Sequence, residues 1–279
     1  MRAKMAGERN LEMIISTGVP VSVHPASAQS ATLHARSPVP QGRAHTRLGI
    51  ILPSVNTVVE PWFGAVAPAG VAFHASRMLL DNNLTPEALR RMDEEEGMHA
   101  ALQIASCRPD AIAYCCTASS VVQGLAYDRQ LQKELSERTG RSCCTAMGAI
   151  IDALRAIEAR NLAVASPYPD AIDQMEHGFL TQAGFTIVGT ANLAISESFR
   201  LADPTTDELI ALARRAWRPE ADALLITCLN TYSHTVVQAL EDELRKPVIT
   251  STQATLWKLL RMSGWIDPID GYGRLLHSH

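Results

Sequence analysis

Asp110-Ala-Ile-Ala-Tyr-Cys-Cys116-Thr-Ala-Ser-Ser120 and Asp222-Ala-Leu-Leu-Ile-Thr-Cys228-Leu-Asn-Thr231 share one plan. Each opens on an aspartate, continues as a short apolar strand and ends on a cysteine followed by small or polar residues. Other landmarks recur at nearly the same offset. Pro53 to Pro167, in Leu48-Gly-Ile-Ile-Leu-Pro53 and Leu162-Ala-Val-Ala-Ser-Pro167, is 114 residues. Gly70 to Gly184 is also 114, and Cys116 to Cys228 is 112. The chain therefore reads as two diverged copies of one unit, with one thiol at the same strand end of each. Paired across a shared cleft, two such thiols suit proton transfer or addition at opposite faces of one carbon.

Short apolar runs alternate with longer amphipathic stretches, the pattern of a parallel sheet with crossover helices. Strands are expected near 48–52, 71–76, 111–115 and 142–145, then near 162–166, 185–190, 223–227 and 247–250. Helices are expected near 57–67, 85–105, 120–137 and 147–159, and again near 169–182, 205–217, 232–244 and 253–263. Thr85-Pro86 and Thr206-Asp-Glu-Leu mark helix starts, Lys246-Pro247 opens a strand, and Gly264 closes the last full helix. The predicted fold is α/β: two similar doubly wound, four-stranded, flavodoxin-like halves related by a pseudo-twofold axis. Active loops belong at the carboxyl ends of the strands, between the halves. The divisions are 46–158, 159–264 and a tail, 265–279, that packs across the halves or frays.

Composition bounds the rest. A length of 279 residues fits about two domains of roughly 150 each. With 47% hydrophobic and 19% charged residues there is enough apolar material for two cores. A net charge of −4 gives no reason to expect nucleic acid or an anionic membrane as partner. No apolar run approaches the ~20 residues needed to cross a bilayer, so a soluble, cytoplasmic protein is expected. Residues 1–45, rich in Ser, Ala, Pro and His, read as a flexible extension. Ala26-Ser-Ala28 mimics a signal cleavage site, but Glu8, Glu12, Pro20 and His24 spoil the rest. The six cysteines contain no C-x-x-C pair, so neither a zinc site nor a disulfide framework is indicated. No glycine-rich phosphate loop is present, and no cofactor is expected.

Cys116 stands where a helix begins, and helix-start N–H groups favour negative charge. Its thiol is therefore expected to ionise below the usual ~8.5. The same N–H groups, with Thr117, Ser119 and Ser120, could hold a carboxylate. Cys115, one residue back on the strand, should face away from the cleft. Cys143 and Cys144 read as packing residues and Cys107 as helix-end filler. His234 and His177 read as solvated, and Arg77 as either an anion contact or a surface ion pair.

The run Leu48-Gly-Ile-Ile-Leu-Pro-Ser-Val-Asn-Thr-Val-Val-Glu-Pro61 resembles the opening of the maleate cis–trans isomerases. These group with arylmalonate decarboxylases in the aspartate/glutamate racemase superfamily. Tyr114-Cys-Cys-Thr-Ala-Ser-Ser120, Ser166-Pro-Tyr168 and Ile226-Thr-Cys-Leu-Asn230 fall at that family's first cysteine, tyrosine loop and second cysteine. The resemblance covers about residues 46–275. It implies Cys116 as nucleophile or base, Cys228 as the opposing acid, and a substrate site formed by Asn56, Thr117, Ser119, Tyr168, Asn192 and Leu229. The flanks of Asn192, Gly189-Thr-Ala-Asn-Leu, depart from the family pattern. The implied activity is cis–trans isomerisation of a small dicarboxylate of the maleate-to-fumarate type, in a homodimer. The decarboxylase branch keeps only the second cysteine, so Cys116 argues against it. Amino-acid racemases carry Asn-Thr and Thr-His after their cysteines, where this chain has Thr-Ala-Ser and Leu-Asn-Thr. A small-acid binding protein and a thiol redox protein are the readings from other classes.

Overall fold

The computed structural model describes residues 46–279, and the expectations for 1–45 lie outside the described residues. The first half contains β1 (Thr46–Pro53), α1 (Val59–Val66), β2 (Val71–Met78), α2 (Pro86–Met92), a π-helical turn (Asp93–Gly97) and α3 (Met98–Ala105). It continues through β3 (Ala111–Tyr114), α4 (Thr117–Gln123), α5 (Leu125–Thr139), β4 (Ser142–Thr145) and α6 (Ala146–Ala156). The second half runs β5 (Asn161–Ser166), α7 (Asp170–Gln182), β6 (Thr186–Asn192), α8 (Thr206–Ala216), β7 (Ala223–Ile226), α9 (Val237–Leu244), β8 (Val248–Thr250) and α10 (Ser251–Met262). A short α11 (Arg274–Ser278) follows.

Each half is a four-stranded parallel sheet, ordered β2-β1-β3-β4 and β6-β5-β7-β8. The repeat is visible in the register, where Leu48 pairs with Ala111 and Leu162 with Ala223. The two aspartates that open the repeated segment do the same work. Asp110 Oδ2 accepts from the Arg47 N–H at 2.8 Å, and Asp222 Oδ2 accepts from the Asn161 N–H at 2.8 Å. Each thus fastens the start of the third strand to the start of the first. β3 and β7 are buried at every residue, as expected of central parallel strands covered on both faces.

Threonine caps set several helix starts. The Thr85 side chain accepts from the Ala88 N–H, with Pro86 in the first turn. Thr205 with Glu208 and Thr250 with Gln253 form reciprocal capping boxes. Thr145 and Thr250, at the ends of β4 and β8, cap α6 and α10. These two helices pack on each other, and α10 reaches β3 and β4 while α6 reaches β8. One apolar core therefore runs from Ile50 and Ile112 through Ile150 and Leu256 to Leu225 and Ile249. The tail lies over this junction, with Leu275 and Leu276 fully buried.

Three expected helices come out differently. Residues 85–105 are interrupted by the π-helical turn. The helix expected over 120–137 starts earlier and is divided at Gly124, whose φ of +89° ends α4 and starts α5. Residues 232–244 begin as a 3-10 turn over Ser233–Thr235. His234 is not solvated. It is 8% exposed and stacks on Trp62 with ring centroids 4.6 Å apart, and burial holds its imidazole down at about 4. Trp62 also meets Tyr272 edge-on, so one aromatic cluster joins first half, second half and tail.

Gly189 stands where the β5–β6 register shifts, and a Cβ there would lie 2.1 Å from the Ala216 carbonyl oxygen. Only glycine lets this strand pass the end of α8. Gly189→Ala is expected to lower stability by about 1–3 kcal/mol, read as a fall in the denaturant midpoint.

Candidate active site

The carboxyl ends of the two sheets meet at a small cavity. Its wall includes Cys116, Thr117 and Ala118 after β3, and Cys228, Leu229 and Asn230 after β7. Asn56 from the β1 loop and Tyr168 from the β5 loop complete the polar part. Leu80, Leu84, Leu89 and Leu201 close the apolar side. Of the residues expected from sequence, Asn56, Cys116, Thr117, Tyr168, Cys228 and Leu229 come together here.

Two do not line it. Asn192 donates from Nδ2 to Asp170 at 2.9 Å and to Asp173 at 3.4 Å, which ties the end of β6 to α7. Ser119 is fully buried behind the wall, with Oγ 3.4 Å from the Cys116 carbonyl. Arg77 is also outside. It donates to the carbonyls of Ser54 and Asn56 at 2.9 and 3.0 Å and pairs with Glu60, so it braces the β1 loop.

Asn56 is both a cap and a wall residue. Its Oδ1 accepts from the N–H groups of Val58 and Val59 at 3.0 Å, fixing the amide's orientation. No described residue accepts from its Nδ2, which leaves a donor for a ligand. Asn230, unrecognised as a site residue in the sequence, fastens the halves together. Its Oδ1 accepts from the Thr57 N–H at 2.9 Å, and its Nδ2 donates to the Val55 carbonyl at 3.3 Å.

A chain of hydroxyls crosses the cleft. Thr117 Oγ1 and the Tyr168 phenol lie 2.6 Å apart. The helix start after Cys116 is thereby linked to the β5 loop of the other half. Cys228 has φ of +81°, a region that L side chains rarely adopt. Such local strain, worth roughly 1–3 kcal/mol, concentrates at functional sites.

The acidity expected for Cys116 is not what the site provides. Burial and then the neighbouring Asp93 push its thiol up to about 12, against help from Ser119 and with Cys228 adding a smaller push. The helix it starts is itself buried, so the favourable N–H groups do not repay lost hydration. Burial also raises Cys228, while Thr231, Tyr168 and the Asn230 N–H hold it down. In the ligand-free protein both are thiols at neutral pH. Cys115 reaches the cavity wall, but its Sγ donates to the Ala113 carbonyl at 3.5 Å and is influenced chiefly by burial and Cys144. His177 is partly covered, with Nε2 3.5 Å from Asp173. Behind Cys228, Glu176 is fully buried; its Oε2 accepts from Thr227 at 2.9 Å and its Oε1 has no partner among the described residues.

Two parallel half-sheets with a cleft thiol from each define a two-lobed α/β protein whose site lies between the strand ends. The chain belongs to the arylmalonate decarboxylase family, whose model matches residues 48–276. It is 26% identical over 246 residues to a maleate isomerase of Geobacillus stearothermophilus, covering 83% of this chain and 97% of that protein. It is 26% identical over 231 residues to an arylmalonate decarboxylase of Bordetella bronchiseptica, covering 80% and 96%. Among solved structures it matches a Nocardia farcinica maleate cis–trans isomerase with a TM-score of 0.80 and 27% identity, over 84% of this chain and 99% of that one. That isomerase is a cysteine-to-serine mutant with a covalently bound succinylcysteine intermediate.

Proposed function

We infer that this chain is a cofactor-independent isomerase that converts maleate to fumarate through Cys116 and Cys228. The observation that carries the reading is the presence of both strand-end thiols in one cavity wall, together with neutral donors for carboxylates. As a thiolate, Cys116 attacks one alkene carbon and forms a C–S bond. The π pair moves to the neighbouring carbon, which takes the proton of Cys228. The former double bond is now single and rotates. Cys228 then removes the proton it gave, the pair re-forms the alkene, and the C–S bond breaks to release the trans acid. Covalent catalysis thus replaces rotation about a double bond with easier steps.

Thr117, Tyr168 and the Nδ2 of Asn56 serve as carboxylate donors in this reading, with Leu229 packing beside the substrate. Tyr168→Phe removes a donor between Thr117 and Cys228, and should lower kcat/KM by about a hundredfold at unchanged stability. A homodimer is part of the same reading, to be checked by light scattering during gel filtration.

NMR of the purified protein with maleate in heavy water tests the function. Fumarate should appear without added cofactor. Carbon dioxide release from an arylmalonate, or α-deuteration of an amino acid, with maleate untouched, would replace this reading by the decarboxylase or racemase one.

A further inference from the structure

Side chains on both sides of Cys228 hold the loop after β7. Thr227 Oγ1 donates to Glu176 Oε2 at 2.9 Å, and Thr231 Oγ1 donates to the Leu201 carbonyl at 3.1 Å. Between them Asn230 reaches across to the first half. Its Oδ1 accepts from the Thr57 N–H at 2.9 Å, and its Nδ2 donates to the Val55 carbonyl at 3.3 Å. The same Nδ2 meets the Ser198 carbonyl at 3.5 Å. Val55 and Thr57 are the two chain neighbours of Asn56. One side-chain amide therefore clasps the backbone on either side of Asn56, whose own Oδ1 is committed to the Val58 and Val59 N–H groups.

The first half has no such clasp. Cys116 has an ordinary extended backbone, with φ of −135°, and the residue two places on is Ala118. Cys228 has φ of +81°, and the residue two places on is Asn230, a buried part of the cavity wall. A side chain persists in the left-handed region only where its surroundings over-determine it. The bonds of Thr227, Asn230 and Thr231 do so here. We propose that Asn230 is a positioning residue that fixes the Cys228 thiol relative to the Asn56 amide. Proton donor and carboxylate donor, supplied by different halves, then act on one bound molecule. Loss of the clasp would free both loops at once, and displacements of about 1 Å are enough to misalign a reaction. The inference rests on the roles that the isomerase reading gives to Cys228 and Asn56.

Two measurements on the Asn230→Ala protein test it. Alkylation by iodoacetamide at alkaline pH, followed by peptide mass spectrometry, needs no substrate. Cys228 should be labelled about tenfold faster than in the parent, and Cys116 within about twofold of it. In maleate turnover kcat should fall about a hundredfold. KM should rise about tenfold, but by less than about twofold where Asn56→Ser has already removed the amide donor and kept a capping oxygen. A residue that served stability alone would shift KM alike in both backgrounds. That result, or unchanged Cys228 labelling, would overturn the proposal. If Asn230→Ala does not fold, Asn230→Asp carries the same test, since its carboxylate keeps an acceptor for Thr57 and turns another against the Val55 and Ser198 carbonyls. A parent inert toward maleate would remove the isomerase reading instead, and the labelling ratio would still decide whether the clasp holds Cys228.

Discussion

Cys116→Ala and Cys228→Ala should each lower kcat for maleate by about a thousandfold or more, leaving the circular dichroism spectrum unchanged. The size follows from the chemistry. Without Cys116 no C–S bond forms and the alkene cannot rotate; without Cys228 the neighbouring carbon lacks its proton donor. Groups that act as one unit are non-additive, so the double variant should be little worse than either single one. Both side chains are small and buried, and truncation to alanine should cost only about 1 kcal/mol of stability. Cys115→Ala is the control. Its thiol bonds to its own strand, so a comparable stability loss should come with retained turnover. An active Cys116→Ala beside an inactive Cys115→Ala would move the chemistry to the neighbouring residue.

Glu176→Gln should stabilise the protein at alkaline pH. Burial first, with Asp173 adding to it and the Thr227 bond opposing, pushes the Glu176 carboxyl up to about 8. In the unfolded chain the same group titrates near 4.3, an approximate reference value. Between these limits the folded protein holds a proton that the unfolded chain has lost. Stability therefore declines as pH rises through that window, the reverse of a salt-bridged carboxylate. Glutamine matches the neutral acid and does not titrate. The stability gained by Glu176→Gln should be near zero around pH 4 and grow to a few kcal/mol above the folded pKa, an order-of-magnitude figure. Denaturant titrations across pH measure it, and a pH-independent difference would show that Glu176 does not hold its proton in the folded state.

Much of this architecture was legible because the repeat is written in residues with fixed physical meanings. An aspartate before each third strand, a proline at the end of each first strand and threonine–proline or threonine–acid helix starts all recur. All eight strands fall where short apolar runs place them. What stayed hidden depends on approach between distant segments. Asp93 is followed by Glu94, Glu95 and Glu96 and reads as part of a solvated acidic run; the π-helical turn puts Asp93 among Tyr114, Gln123 and Tyr127. His234 reads as surface because its partner, Trp62, lies in the other half of the sequence. The acidity of Cys116 was misjudged for a related reason. A helix start is visible in sequence, but the depth of its burial is not.

Mass spectrometry of the Cys228→Ser variant, quenched during incubation with maleate, tests the central claim most directly. The Cys116 peptide should gain the mass of one maleic acid. Water slowly supplies the carbon's proton that Cys228 otherwise delivers, and no thiol is left to remove it. The adduct should be absent from a Cys116→Ala control. An adduct on a different cysteine, or a parent enzyme that turns over maleate while no cysteine of either protein ever carries the added mass, would contradict covalent catalysis by Cys116.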